Sequence, residues 1–391
     1  MEPLLNLGLV PLVNNLCLSP EEAIRAERFP LNLLIDEDLT IQLDTIVDRE
    51  KMFSNYLYRS SISQPFIQHC SRLWDEVEHL VPVGGTVVDI GGNDGALLDA
   101  NRFAKKKSIE KYNVDPCGDF RGDNEQKGIN FQQGFWADSG INIPKADCIT
   151  STNVFQHHSN ADAFVSEISK NLDGIWVLEF PYFLTSAKTL QFDQAYHEHY
   201  YYWLVKPLSI LFEKFGLSII SISEHSIHGG TIRIISTNKP EIRESYCKPG
   251  KIHCNMVQDY IYKEEEFDFS NLDSKVNEKI DVDREILEKI CSSSTIAAFG
   301  AAAKGCTYLN CLKSEILIDS VKFVVDDTPH KQGKFIPGTD LEVVPREILF
   351  EKQPDYLLIL AHNFSEHIAN SLRGSYTGKI ITMFPDFRVL V

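Results

Sequence analysis

The run from Thr86 to Leu98 limits this chain more than any other, because it reads as a buried strand, a glycine turn and a helix start in immediate succession. Thr86 to Ile90 is β-branched and apolar apart from Asp89, which suits a central parallel strand covered on both faces. Gly91, Gly92 and Gly95 then let the backbone turn sharply and approach a ligand that a Cβ would hold off. Asp94 is placed to cap a helix that begins near Ala96.

A dinucleotide fold would want Gly-x-Gly-x-x-Gly with a diphosphate on the helix N-terminus. Here the glycines fall as Gly-Gly-x-x-Gly, with Asp89 and Asp94 around them. Acid repels a diphosphate and suits a cationic, hydroxyl-rich ligand, for which S-adenosylmethionine (SAM) has the sulfonium, the ammonium and the ribose. An ordinary strand-to-helix turn without ligand is the plainer alternative.

At 391 residues the chain exceeds what one core usually serves, so two or three domains are expected. A formal charge of −17 argues against a nucleic-acid or anionic-membrane surface, although a local basic pocket for a phosphorylated substrate remains compatible with it. The opening residues lack a basic stretch, and no apolar run approaches the ~20 residues needed to span a bilayer. A cytoplasmic protein without membrane partner is the expectation. Nine cysteines without a Cys-x-x-Cys pair fit reduced thiols better than a disulfide framework or a zinc site.

Residues 1–80 read as a small lid-like domain: short apolar pieces between turn formers up to Asn15, strands near Phe29 to Leu33 and Leu39 to Leu43, and a helix from Pro65 to Leu80. The hydroxyl-rich stretch holding Tyr56, Tyr58 and Arg59 reads equally as solvated surface or as a wall of the cofactor pocket. Residues 81–240 have the strand and helix period of a doubly wound α/β sheet. Asp115 ends the second strand about 20 residues after the glycines, where a carboxylate meets ribose hydroxyls in folds of this build. Phe135 or Trp136 should lie near the adenine, and Asn153 and His157 at the carboxyl end of the fourth strand.

The segment Phe192 to Trp203 gathers Tyr196, His197, Glu198 and His199 among further aromatics. A metal reading is weak, since two histidines two apart lack further ligands of recognisable spacing. Acid–base work by His199 beside Glu198 is a second reading, and an aromatic core loop with satisfied histidines a third. His228-Gly229-Gly230 then turns into a strand, closing the sheet with an antiparallel hairpin. Residues 241–292 read as a charged connector of two helices, with Glu264 to Glu266 and Val276 to Ile290 on solvated faces. Residues 293–391 repeat the opening pattern at Ser294 to Gly305, which predicts a second Rossmann-like domain; its Lys304 could hold a phosphate at a helix N-terminus, or the turn could be structural.

The ordered set of motifs resembles the SAM-dependent sugar C-methyltransferases that act on nucleotide-linked keto-deoxysugars. It comprises Leu-Gly-x-x-Pro-Leu-x-Asn at Leu7 to Asn14, Tyr-x-Tyr-x-Ser-Ser at Tyr56 to Ser61, Gly-x-Asn-Asp-Gly at Gly91 to Gly95 and Asn-Val-Phe-x-His at Asn153 to His157. It continues with Phe-Asp-x-x-Tyr-His-Glu-His at Phe192 to His199, His-Gly-Gly-x-x-Arg at His228 to Arg233, and the Gly-Ala-x-x-Lys-Gly and Lys-Gln-Gly-Lys-x-x-Pro-Gly loops of the last domain. The resemblance implies a small N-terminal substrate-side domain, a central Rossmann-like class I SAM-dependent methyltransferase domain, and a C-terminal Rossmann-like domain that helps hold the nucleotide sugar. It puts the active-site tyrosines, histidines and glutamate on Tyr56 or Tyr58, His157, Tyr196, Glu198 and His199. Cofactor contacts are then expected from Asp89, Gly91, Gly92, Asn93, Asp94 and Gly95, together with Asp115, Phe135, Trp136 and Asn153. Substrate contacts are expected from Arg59, His228 and Arg233, and from Gly300, Lys304, Gly305 and Asn363. Similar proteins carry zinc-binding cysteines in the first domain, whereas this sequence begins after the place of the first pair and has Ile35 to Leu39 at the second. No zinc is therefore expected, and a first domain held by packing alone.

The chemistry so implied is loss of a proton from the sugar carbon beside a ketone, followed by attack of that carbon on the SAM methyl. His199 is the first choice of base, with Glu198 orienting it or tuning its basicity, and Tyr196, His157 or a loop tyrosine as donors to the enolate oxygen; a tyrosinate as base is the other assignment. The rivals are O-methylation of a sugar hydroxyl, an NAD-dependent sugar oxidoreductase, and a SAM-binding protein without catalysis. A monomer or a small homo-oligomer is expected.

Overall fold

The computed structural model describes residues 1–48, 52, 59–62, 64–246 and 255–390. Three sheets follow one another along the chain. The first is an antiparallel meander of β1 (Glu2–Pro11), β2 (Arg28–Ile35) and β3 (Ile41–Leu43). The sequence suggested only short pieces before Asn15, because Pro3, Gly8 and Pro11 read as turn formers. The structure instead absorbs them into one ten-residue strand whose pairing with β2 is broken by two irregularities, the second spanning Gly8 at φ +79°.

The central sheet holds β4 (Thr86–Ile90), β5 (Glu110–Asp115), β6 (Asn130–Gln133), β7 (Ala146–Thr152), β8 (Leu172–Pro181), β9 (Ser218–His225) and β10 (Thr231–Thr237). They run in the order β6-β5-β4-β7-β8-β10-β9, parallel as far as β8 and antiparallel at β10 and β9. The strand order reverses between β4 and β7, which opens a crevice at their carboxyl ends. The helix Gln64–Val77 lies on this sheet, sharing an apolar cluster of Cys70, Leu73 and Trp74 with Val87, Cys148 and Ile175.

The connector differs from its sequence reading. Three helices are described, Pro240–Tyr246, Met256–Glu265 and Leu272–Cys291. Glu264 is fully buried and accepts hydrogen bonds from Tyr182 Oη at 2.6 Å and from the Val205 and Lys206 amides at 2.6 and 2.8 Å. Those amides open the helix Val205–Lys214, whose N-cap Leu204 has no side-chain acceptor, so Glu264 caps it from another helix. The long helix is likewise no solvated face: its Val276 and Ile280 join Leu4, Leu5 and Leu7 of β1 in the main core.

The last sheet contains β11 (Ile296–Phe299), β12 (Val321–Val325), β13 (Val343–Val344), β14 (Tyr356–Ile359), β15 (Lys379–Thr382) and β16 (Arg388–Val389), in the order β13-β12-β11-β14-β15-β16. It is stitched to the first domain. Cys17 and Phe335 exchange backbone hydrogen bonds at 2.9 Å, the Gly338 amide reaches Ala23 O at 2.8 Å, and Arg28 reaches Gly338 O and Asn310 Oδ1. Among the described residues no helix is long and apolar enough to cross a membrane.

Candidate active site

The turn after β4 is fixed by the side chains that close on it. Gly91 and Gly95 have φ of +64° and +78°, and Asn93 also sits in the left-handed region at +53°. A Cβ on Gly92 would lie 2.6 Å from both Asn113 Oδ1 and Asp89 Oδ2. The turn passes its bare backbone along a cavity of ≈ 380 Å³ lined by strand ends of the central sheet and by loops of the first and last domains.

Asp89 and Asp115 stand at one end of that cavity. Burial raises Asp89 to about 7 against a 2.7 Å hydrogen bond from Thr150 Oγ1, and raises Asp115 to about 6 against hydrogen bonds from the Asn93 and Cys117 amides. Gly91, Gly92, Asn93, Phe135, Trp136 and Asn153 line the same end. Two carboxylates short of counter-charge, aromatic rings and a bare glycine backbone fit the sulfonium, ammonium, ribose and adenine of SAM.

The aromatic segment after β8 forms the middle. The His199 Nδ1–H donates to the Gln194 carbonyl at 3.2 Å, and the His157 Nδ1–H to the Glu198 carbonyl at 2.7 Å. A carbonyl only accepts, so in both neutral rings Nε2 carries the lone pair. The two rings are 4.7 Å apart, and the Tyr196 ring is 4.0 Å from that of His199. Burial takes His157 down to about 4, and burial together with the charges of His157 and Lys304 holds His199 well below the usual histidine range. Both are neutral at pH 7. The Glu198 carboxylate does not orient His199: both its oxygens accept from Asn14 Nδ2 at 2.7 Å, and burial lifts it to about 7. The rest of the segment is core. Trp203 stacks on Phe155 at 4.7 Å, and His197 packs on Phe29 and donates to Pro30 O. Among the described residues no group of three His, Cys, Asp or Glu is arranged to hold a metal ion.

The C-terminal domain lines the cavity with two lysines, Lys304 and Lys331, of which Lys331 is 3.3 Å from Asp326 Oδ2. Lys304 is at the start of the helix Ala303–Leu312, and His228 and Asn363 line the cavity beside them. Lys304 Nζ donates to the His228 carbonyl at 2.7 Å, and Lys331 Nζ to the Ala301 carbonyl at 2.8 Å.

Of the described residues expected at the site, Asp94, Gly95, Arg59, Arg233, Gly300 and Gly305 do not line the cavity. Asp94 does not cap its helix either: its carboxylate accepts from the Ser61 hydroxyl and amide, and the N-cap is Gly95, which has no side-chain acceptor. Arg59 pairs with Asp123 and lies over the Phe120 ring. Arg233 is buried on the sheet face covered by the helix Gln64–Val77, its Nε 2.6 Å from Glu179, which His69 also meets at 2.9 Å, so it ties that helix to β8. Gly300 and Gly305 give room for packing, since a Cβ on either would come within 2.7 Å of Ala361 or Leu360. Tyr56 and Tyr58 lie outside the described residues. Asn14, Gln194 and Lys331 are additions; Asn14 and Lys331 stand in motifs already quoted, whereas Gln194 acts through a backbone carbonyl that no side chain announces.

Residues 63–222 match the methyltransferase domain family, and residues 226–385 the family described as C-methyltransferase C-terminal domain. The chain is 26% identical to the C-methyltransferase NovU of Streptomyces niveus over 403 residues, 98% of this chain and 93% of that protein. Among solved structures, the magnesium protoporphyrin IX methyltransferase of Synechocystis with bound SAH aligns at 18% identity, TM-score 0.36, over 44% of this chain and 83% of that one. A putative sarcosine dimethylglycine methyltransferase from Galdieria sulphuraria aligns at 12% identity, TM-score 0.38, over 47% and 92%.

Proposed function

We propose that this chain, whose residues 63–222 and 226–385 match a methyltransferase domain and a C-methyltransferase C-terminal domain, is a SAM-dependent C-methyltransferase that methylates a ring carbon next to the ketone of a nucleotide-linked keto-deoxysugar. The observation that carries this reading is one cavity with three kinds of wall: acid at the glycine turn, neutral imidazoles and a tyrosine in the middle, and lysines on the C-terminal domain. The anionic nucleotide sugar would lie toward Lys331 and the cationic cofactor toward Asp89 and Asp115, and the carbon between them would face His199.

SAM, when bound, supplies an electrophilic methyl. His199 Nε2 takes the proton from the sugar carbon, a role its neutrality at pH 7 and its Nδ1–H bond to Gln194 prepare. Charge then develops on the ketone oxygen. His157 is not a donor to it from Nε2 in its neutral form, because its one ring proton is committed to the Glu198 carbonyl. The donors are Tyr196 Oη and the Glu198 carboxyl, which burial keeps protonated up to about pH 7. The surrounding rings exclude water that would otherwise quench the carbanion.

The test is incubation of the protein with methyl-labelled SAM and a panel of nucleotide-linked keto-deoxysugars, with product mass and NMR. A methyl on ring carbon, lost in His199→Asn, is expected. A methyl on oxygen, or no transfer to any keto sugar, would overturn the reading.

A further inference from the structure

From sequence, Lys304 could hold a phosphate at a helix N-terminus, or its turn could be structural. Its described hydrogen bond points elsewhere. Lys304 Nζ donates to the His228 carbonyl at 2.7 Å, and Gln194 Nε2 donates to the same oxygen at 3.0 Å. The backbone carbonyl of that same Gln194 accepts from His199 Nδ1. An unbroken series of contacts thus runs from a helix of the C-terminal domain to the candidate base.

The intermediate links are tightly seated. His228, Gly229 and Gly230 have φ of +54°, +88° and +117°, and a Cβ on Gly229 would lie 2.3 Å from Gln191 Oε1 and 2.6 Å from Asn363 Oδ1. This turn is wedged between the segment 191–194 and the C-terminal domain, with Gln191 Nε2 donating to the Gly229 carbonyl at 2.9 Å. On the other side of Gln194, Asp193 is fully buried, its Oδ2 is 3.3 Å from His362 Nδ1, and Lys304 is its leading counter-charge. Phe192 completes the seat, stacked 5.7 Å from Tyr308 and tilted against Phe384 at 5.6 Å.

We infer that Lys304 is the positioning residue of His199: by anchoring the His228 carbonyl that Gln194 also meets, it holds the Gln194 carbonyl where it selects the Nδ1–H tautomer. The C-terminal domain thereby prepares a base on another domain. This rests on the assignment of His199 as the base. The other groups that face His199 are His157, Tyr196 and Tyr202, while the neighbouring Glu198 turns its carboxylate to Asn14.

The experiment is long-range ¹H–¹⁵N NMR of histidine-labelled protein, with the His199 signals identified by their loss in His199→Asn, alongside kinetics of methyl transfer. The wild type should show His199 wholly as the Nδ1–H tautomer. Lys304→Met should populate the other tautomer, lower kcat by at least about tenfold, and leave the sugar-nucleotide KM nearly unchanged; Lys304→Arg should restore the tautomer and most of kcat. Gln194→Ala, which removes the side chain that meets the His228 carbonyl and leaves Lys304 in place, should redistribute the tautomers as Lys304→Met does, and carries the test if that variant does not fold. An unchanged tautomer in both variants, or a loss in Lys304→Met confined to KM as for a phosphate ligand, would overturn the inference. If His199→Asn keeps full activity while the tautomer still follows Lys304, the base assignment fails and the positioning stands.

Discussion

Replacing Asn14 by alanine removes the donor that meets both oxygens of the Glu198 carboxylate at 2.7 Å. A hydrogen bond to a charged group inside a protein is worth about 1.5–3 kcal/mol, and about 1.4 kcal/mol corresponds to one pH unit. The bond favours the ionised form, so its loss raises the carboxyl by about one to two pH units from its present value of about 7. If protonated Glu198 is a donor to the enolate, kcat/KM for methyl transfer falls as pH rises through about 7 in the wild type. In Asn14→Ala that alkaline fall should move up to roughly pH 8–9. The assay is the pH profile of kcat/KM, with circular dichroism and SAM affinity to show that the fold and cofactor site are intact. An alkaline limb that stays in place, or moves down, would refute the reasoning.

Three further outcomes are expected. Gly92→Ala sets a Cβ 2.6 Å from Asp89 Oδ2 and Asn113 Oδ1, and calorimetry should find SAM binding weakened by at least about tenfold. SAM affinity should also fall as pH drops through about 7 and then 6, because Asp89 and Asp115 are raised to those values and a cation binds their ionised forms better; a flat calorimetric profile from neutral to mildly acid pH would count against them as ligands. Arg233→Met strands Glu179, which burial pushes up and His69 and Arg233 hold down; urea unfolding should show a loss of about 3–5 kcal/mol, and a loss below about 1 kcal/mol would mean the cluster is not a clamp.

Where periodicity and glycine chemistry speak, the sequence is a good guide. β4, its turn and Asp115 are legible because strand, φ-permissive residues and a terminal acid lie within one short stretch. What the sequence conceals is partnership across long separations. Glu264 in a run of three glutamates looks solvated, yet it caps a helix 58 residues away. Asp94 looks like a cap until Ser61, 33 residues earlier, is seen to take its carboxylate. Arg233 stands in a motif shared with the site but lies on the sheet face covered by the helix Gln64–Val77, since strand alternation puts its side chain beside that of its cross-strand partner Glu179. Gln194 enters through its main chain, whose role depends on the turn rather than on the residue type.

The stitch between Cys17 and Phe335, extended by Arg28 to Gly338 over a separation of 310 residues, has a consequence for synthesis. The first and last domains described are joined across a middle that is made between them. At roughly 5–20 residues per second, the first meander leaves the ribosome about 15–60 s before the loop that completes its seat. Until the helix Leu272–Cys291 is made, its core side, Leu4, Leu5 and Leu7, lacks the Val276 and Ile280 that cover it. The meander is thus made well before the domain that completes its environment.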